Sequence, residues 1–253
     1  VAEGPLVHHN AGQLRKVFKG KTAAVRFGVR KLRKFESTLQ AIHIRDVEAY
    51  GKQFRIRFSD KRTLLVHLMM WGSWRIYQKG ERWDKPHRSA RVILTTASHE
   101  AVAFSAPVVR LLSDAELEGD SHWANLGPDP LRQDFSKREF FRRLNSQPAR
   151  EIGEVLLDQQ IISGVGNILR IEILFGSRIH PHRKVGRLSR DDKERLLRWI
   201  LKLMRKWLKQ MGGSNTWIRI YRKSGDPCPR CGKPIEFFRQ GGRITHACPG
   251  CQI

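Results

Sequence analysis

All four cysteines of the chain lie between positions 228 and 251, as Cys228-Pro-Arg-Cys231 and Cys248-Pro-Gly-Cys251. Two residues between thiolates let one tight turn aim both sulfurs at one ion, and two such turns complete a tetrahedron. Two disulfides are the competing pairing, but in a reducing compartment metal is the better reading. Cys228, Cys231, Cys248 and Cys251 are therefore expected to hold one structural Zn²⁺, with no position left open for a catalytic water. The stretch between them, 235–238 and 243–246 around Gly241-Gly242, predicts a β-hairpin with too little core to fold without the ion. Arg243 on that hairpin is a candidate phosphate contact, and His246 another.

A second group is Gly164-Val-Gly166-Asn167, set between helical stretches within 156–175. Glycines let backbone amides come close to a phosphate, and a helix N-terminus begins there. Asn167 would add a side-chain contact to the same phosphate. The plainer alternative is a helix hairpin with Asn167 as its cap.

The elements that carry these groups change character along the chain. Val7, Ala11, Leu14 and Phe18 recur at helical spacing and predict a helix over 6–18. Phe54, Ile56 and Phe58 alternate with Gln53, Arg55 and Arg57, which predicts a half-buried strand starting near Lys52. Further strands are expected at 41–48, 63–69, 73–77, 90–97 and 100–105. From Pro107 to Phe135, prolines, glycines and an acidic patch (Asp114, Glu116, Glu118, Asp120) predict a connector. Ser136 with Glu139 forms a capping-box pattern ahead of the next helix. Ser189 with Asp191 and Asp192 opens the longest helix, apolar at Leu196, Leu197, Ile200, Leu203, Met204, Trp207, Leu208 and Met211 and basic on its other face; Gly212-Gly213 ends it. The fold class is α+β: an N-terminal β-sandwich with flanking helix over 1–125, a helical domain over 126–224 and a zinc-ribbon hairpin over 225–253.

Charge narrows the partner. Lys and Arg number 48 against 24 Asp and Glu, a formal net charge of +24. Such an excess suits a polyanion, nucleic acid foremost, over a small-molecule substrate; a ribosomal-type protein or a membrane-surface binder are the competing classes. The longest apolar-rich run, Leu64–Trp71, is broken by His67 and too short to span a bilayer. No signal-peptide pattern opens the chain, so an intracellular, DNA-associated protein of the cytoplasm or nucleoid is expected, acting as a monomer.

The segment 156–175, with its Gly164-Val-Gly166-Asn167 turn, closely resembles the helix-two-turn-helix of the formamidopyrimidine-DNA glycosylase / endonuclease VIII family. Glu3-Gly4-Pro5 resembles that family's N-terminal signature, in which a terminal proline is followed at once by a glutamate. Val47-Glu-Ala-Tyr-Gly-Lys52 resembles the segment carrying its essential lysine, and the cysteine ribbon also looks like the family's. These pieces stand in the family's order along nearly the whole chain.

The resemblance implies an enzyme that flips an oxidised base out of double- or single-stranded DNA, removes it, and nicks the strand by β-elimination through a Schiff base on the N-terminal amine. Glu3 would be the general acid/base at the opening sugar, and Lys52 would hold the phosphate beside the lesion or act as an alternative amine. Here Val1-Ala2 precede Glu3 and no proline stands at the start. An α-amino group of pKa about 8 is far more nucleophilic at neutral pH than a lysine of about 10.4, so Val1 is the candidate nucleophile. The extra residue shifts its amine by up to about 3.5 Å relative to Glu3. His67-Leu-Met-Met-Trp-Gly72 stands where the family has its void-filling loop. Met69, Met70 and Trp71 would supply a wedge, although strand alternation places at least one of them in the core. The short connector from Gly213 to Asp226 resembles the endonuclease VIII branch, which favours oxidised pyrimidines, hydantoins and ring-opened lesions. Two rivals remain: a catalytically silent lesion or junction binder on the same scaffold, and a zinc-ribbon transcription or RNA-associated factor, against which the Asn167 segment argues.

Overall fold

A computed structural model describes residues 2–211 and 217–253. Packing divides the chain into two units, one of Ala2 with Leu6–Ala124 and one of Glu3–Pro5 with Asn125–Ile253.

In the first unit the expected helix forms as α1 (Gly4–Phe18) and buries Val7, Ala11, Leu14 and Phe18. Eight antiparallel strands follow: β1 (Thr22–Phe27), β2 (Ile42–Tyr50), β3 (Gln53–Phe58), β4 (Arg62–His67), β5 (Ser73–Gln78), β6 (Ala90–Thr95), β7 (His99–Phe104) and β8 (Val108–Ser113). Their order is β5-β7-β6-β1-β2-β3-β4-β8. The link between β1 and β2 is brief, through Thr22–His43 and Ala23–Ile42, so the sheet has two wings. Val25, Val92, Leu94 and Ala103 of one wing share a core with Ile44, Phe54, Ile56, Leu64 and Val66 of the other, and α1 packs on it. This is the packed-layer arrangement that period-2 alternation on a buried face requires.

Three expectations need correction. β1 is an additional strand, and the connector expected from Pro107 onward begins with edge strand β8 and two short helices, α2 (Asp114–Glu118) and α3 (Ser121–Ala124). The acidic patch serves local structure: Glu116 completes a capping box with Ser113, and Asp120 pairs with Arg110. Nor is β3 half-exposed. Gln53 and Arg55 are buried as well, because Trp123 of α3 covers that face with its ring 3.9 Å from the Arg55 guanidinium.

The second unit contains α4 (Lys137–Asn145), α5 (Ile152–Val155), α6 (Asn167–Ser177), α7 (Arg190–Lys209) and the hairpin β9 (Glu236–Gln240) with β10 (Arg243–Ala247). Ser136 caps α4 through the Glu139 amide, and Ser189 forms a full capping box with Asp192 at α7. The expected stop of α7 at Gly212-Gly213 lies outside the described residues, as does the start of the connector at Gly213. α6 is apolar nearly all round because it serves two cores: Leu169, Ile173 and Leu174 meet α7's Leu196, Ile200 and Met204, while Ile171 and Phe175 meet Ile220, Ile235 and the cysteines. The hairpin turns at Gly241 and Gly242, both at positive φ, as a two-residue loop needs. Among the described residues no helix is long and apolar enough to cross a membrane.

Candidate active site and nucleic-acid interface

Glu3 stands just ahead of α1 and is wholly buried. Its carboxylate sits at the N-terminus of α6. Oε2 accepts from the amides of Gly166 and Leu169, each at 3.1 Å, and Oε1 accepts from Ile168 at 2.8 Å. These are the orphan donors at the positive end of a helix, where an anion is favoured. A Cβ on residue 166 would lie 2.4 Å from the Glu3 carboxyl carbon, so only glycine admits the carboxylate there. Gly4 closes the same corner, its amide donating to the Gly164 carbonyl at 2.8 Å. The Gly166 amide is thus taken by Glu3, and the missing side chain at 166 makes room for the same carboxylate.

Asn167, the first residue of α6, points its amide across to the hairpin. Nδ2 donates to the Ile244 carbonyl at 2.9 Å, and Oδ1 accepts from Arg170 at 2.6 Å. Among the described residues, Arg170 is the largest fully buried side chain. It also donates to the Gly153 carbonyl, Gln240 Oε1 and Thr245 Oγ1. Burial, with the nearby charge of Arg243, draws its pKa down to about 10, so it stays charged at neutral pH. Sequence reading overlooks Arg170 and Glu172, yet a signal is present. Charged residues inside an otherwise apolar helix are almost never fully buried unless paired. Glu172 accordingly accepts from the amides of Arg219, Ile220 and Tyr221 at 2.8–2.9 Å. Arg243 opens β10 and is exposed.

The four cysteine sulfurs lie within 4.8 Å of one another and none is in a disulfide. Four converging thiols with a sulfur-only donor set suit tetrahedral zinc, which sits at about 2.3 Å from each sulfur. The ligands are all protein, so the ion is structural.

In the first unit Lys52 is half-buried in the two-residue turn between β2 and β3, beside Gly51 at φ +57°. Gln53 pairs with His67, so Lys52 and the turn after β4 lie at the same end of that strand pair. That turn carries Met69, Met70 and Trp71, exposed by 48%, 49% and 82%. None of the three is in the core, contrary to the alternation argument. Leu68 takes the last inward position, Met69 turns at φ +51°, and Gly72 closes back on the Leu68 carbonyl at 2.8 Å. Three large apolar side chains on one tight turn leave an exposed apolar patch. The Ala2 nitrogen donates to the Met69 carbonyl at 3.3 Å. Val1 lies outside the described residues.

Residues 1–108 match the formamidopyrimidine-DNA glycosylase N-terminal domain, 126–218 the formamidopyrimidine-DNA glycosylase H2TH domain, and 225–253 the zinc finger found in FPG and IleRS. An endonuclease 8 of Escherichia coli O17:K52:H18 is 31% identical over 99% of both chains. The chain belongs to the formamidopyrimidine-DNA glycosylase / endonuclease VIII family. A probable endonuclease 8 2 of Streptomyces coelicolor is 34% identical over 82% of this chain and 78% of its own. Among solved structures, the Lactococcus lactis formamidopyrimidine-DNA glycosylase bound to DNA containing an AP site superposes with a TM-score of 0.86, at 25% identity and 99% coverage of each chain. For this glycosylase-family chain, then, the zinc hairpin and the Asn167 turn are parts of one recognised architecture, built here around Glu3 and Arg170.

Proposed function

We propose that the protein excises oxidised bases from DNA, pyrimidines, hydantoins or formamidopyrimidines, and cleaves the resulting abasic strand through a Schiff base on its N-terminal amine. The observation that carries this reading is the burial of Glu3 on three amides at the start of α6. With three N–H donors on its oxygens, the Glu3 carboxyl is held in a fixed orientation, suited to stabilise the positive charge that develops at C1′. Lys52 binds the phosphate beside the lesion. Met69, Met70 and Trp71 fill the gap left by the flipped nucleotide.

The trapping experiment is borohydride reduction on duplexes carrying different lesions, followed by peptide identification of the crosslinked amine. With Val1 in place, a crosslink at residue 1 is expected, and acetylation of that amine should abolish trapping and strand cleavage together. If water attacks instead, base release continues and intact abasic sites accumulate. If Lys52 is the amine, trapping survives acetylation and disappears in Lys52→Ala. Tight binding with no base released from any of these lesions, in duplex or single strand, would leave a silent lesion binder as the better account.

Two further outcomes follow from the interface. An asparagine amide has two N–H donors, and Asn167 spends one on Ile244, leaving one for a phosphate. With ~6–10 phosphates neutralised, log K should fall against log salt with a slope of roughly −5 to −9. Asn167→Ala should weaken damaged and undamaged duplex alike, because a phosphate contact carries no base information; a loss confined to damaged DNA contradicts the role. The paired change Met70→Ala/Trp71→Ala should slow excision by about tenfold or more, since an unfilled gap leaves a few kcal/mol of unstacking uncompensated. Duplex affinity should stay within about threefold, and unchanged single-turnover rates would remove the wedge.

A further inference from the structure

Gln240 is the one buried residue of β9. It stands at the tip of the hairpin, and its partner across the Gly241-Gly242 turn is Arg243. The cysteines hold the opposite end. Cys248 comes five residues after Arg243, about 17 Å along an extended strand. A two-stranded hairpin is marginally stable by itself, so an ion at one end does not fix the tip.

The Gln240 amide does what the ion cannot. Nε2 donates to Glu151 Oε2 at 2.7 Å and to the Pro181 carbonyl at 3.0 Å, while Oε1 accepts from Arg170 Nη1 at 3.3 Å. Both N–H groups and the oxygen are thus engaged, and a buried polar network satisfied in full favours a single arrangement. The seat is shaped for it: a Cβ on Gly153 would collide with the Gln240 amide. Glu151 is braced in turn, by His182 Nδ1 at 2.9 Å from the same Oε2 and by a backbone bridge to Lys184. From Arg170 the network runs on to Asn167 Oδ1 at 2.6 Å. All of these residues belong to the second unit.

We propose that Gln240, with Glu151 as its acceptor, is a positioning residue for DNA. It latches the hairpin tip to α5 and α6, and so sets Arg243 directly, and Asn167 through Arg170, for the phosphate backbone. The proposal rests on the phosphate role given to those two residues. Zinc shapes the hairpin from its base, and Gln240 decides where the tip is held.

Duplex binding by the zinc-loaded full chain tests this. Gln240→Met keeps the length of the side chain and removes its polar atoms. It should weaken binding by about tenfold or more, the worth of a hydrogen bond to a charged group. The zinc count should stay at one per chain, and base release from bound duplex should stay within about threefold, a loss of binding without a loss of chemistry. With Arg243 displaced, the slope of log K against log salt should become shallower by about 0.9, which a change in folding stability alone does not cause. In an Arg243→Ala/Asn167→Ala background Gln240→Met should add less than about twofold, because residues acting through one another are not additive. Glu151→Ala, a change outside the hairpin, should reproduce the Gln240→Met loss. Glu151→Gln should bind within about threefold of the unsubstituted protein, since both bonds to Glu151 fall on one oxygen that the amide retains. If Arg243→Ala/Asn167→Ala leaves binding unchanged, the phosphate reading falls and this proposal with it. If that pair weakens binding while Gln240→Met and Glu151→Ala leave affinity and salt slope unaltered, the latch alone is overturned. A Gln240→Met loss that is fully additive with that pair, at an unaltered slope, assigns Gln240 to stability and overturns it as well.

Discussion

Glu3→Gln should lose base release by roughly 10²–10⁴-fold, the usual worth of a positioned general acid/base. The structure adds a second cost. The carboxylate of Glu3 accepts from three amides, two on Oε2 and one on Oε1. A glutamine turned to keep its oxygen on Gly166 and Leu169 directs its NH₂ at the Ile168 amide, donor against donor. One buried N–H left unmet costs about 1–3 kcal/mol, which for a chain of this size lowers the thermal midpoint by roughly 2–12 °C. The expected result is therefore a folded but less stable protein that still binds duplex at low temperature and releases no base. Excision assays and melting curves on the same preparation separate the two effects. Base release within about threefold of the unsubstituted protein would remove Glu3 from the chemistry. A protein unfolded at the assay temperature calls for Glu3→Asp, which keeps the anion on a shorter side chain; its activity should fall as well, because the carboxylate no longer spans from Leu169 to Ile168.

What the residues reveal on their own depends on the range of the interaction. The cysteine spacing, the Ser189 start of α7, the apolar face of α7 and the Gly241-Gly242 turn are local patterns, and each appears in the fold where its period places it. β1 is hidden because Ala23 and Ala24 give weak alternation, and β8 because Pro107 and the acidic run beyond it look like a connector. The burial of Arg55 depends on Trp123, which no period within β3 can signal. Glu3 and Gly166 are 163 residues apart, so the reason for that glycine is invisible until the chain is folded. In sequence, position 166 is a glycine beside a helix N-terminus; the carboxylate that takes its amide comes from residue 3. The candidate site is legible in its residue types and much less so in its partnerships.

Zinc removal should cost nearly as much, by a different route. The ion holds together a hairpin whose apolar support is small: Ile235, Ala247 and two of the cysteines are its buried apolar residues. Structural zinc contributes about 10–16 kcal/mol in isolated fingers, so the hairpin should unravel without it. The damage then reaches α6. Arg170 would lose Gln240 and Thr245, and Asn167 would lose the Ile244 carbonyl. A buried charge stripped of partners costs about 3–5 kcal/mol, enough to loosen the start of α6 where Glu3 is anchored. Elemental analysis should find one zinc per chain. Chelation, or Cys228→Ser, should lower duplex affinity by at least about 100-fold, since Arg243 and the ordered Asn167 amide are lost together, each phosphate contact adding to the salt-dependent term. The first unit buries its own core and should keep its β-sheet circular dichroism. Restoring zinc should restore affinity, and His substituted for Cys228 should retain a good part of both, because imidazole nitrogen is also a zinc ligand. A metal-free preparation that binds duplex as tightly as the loaded protein would show that the hairpin does not carry the interface.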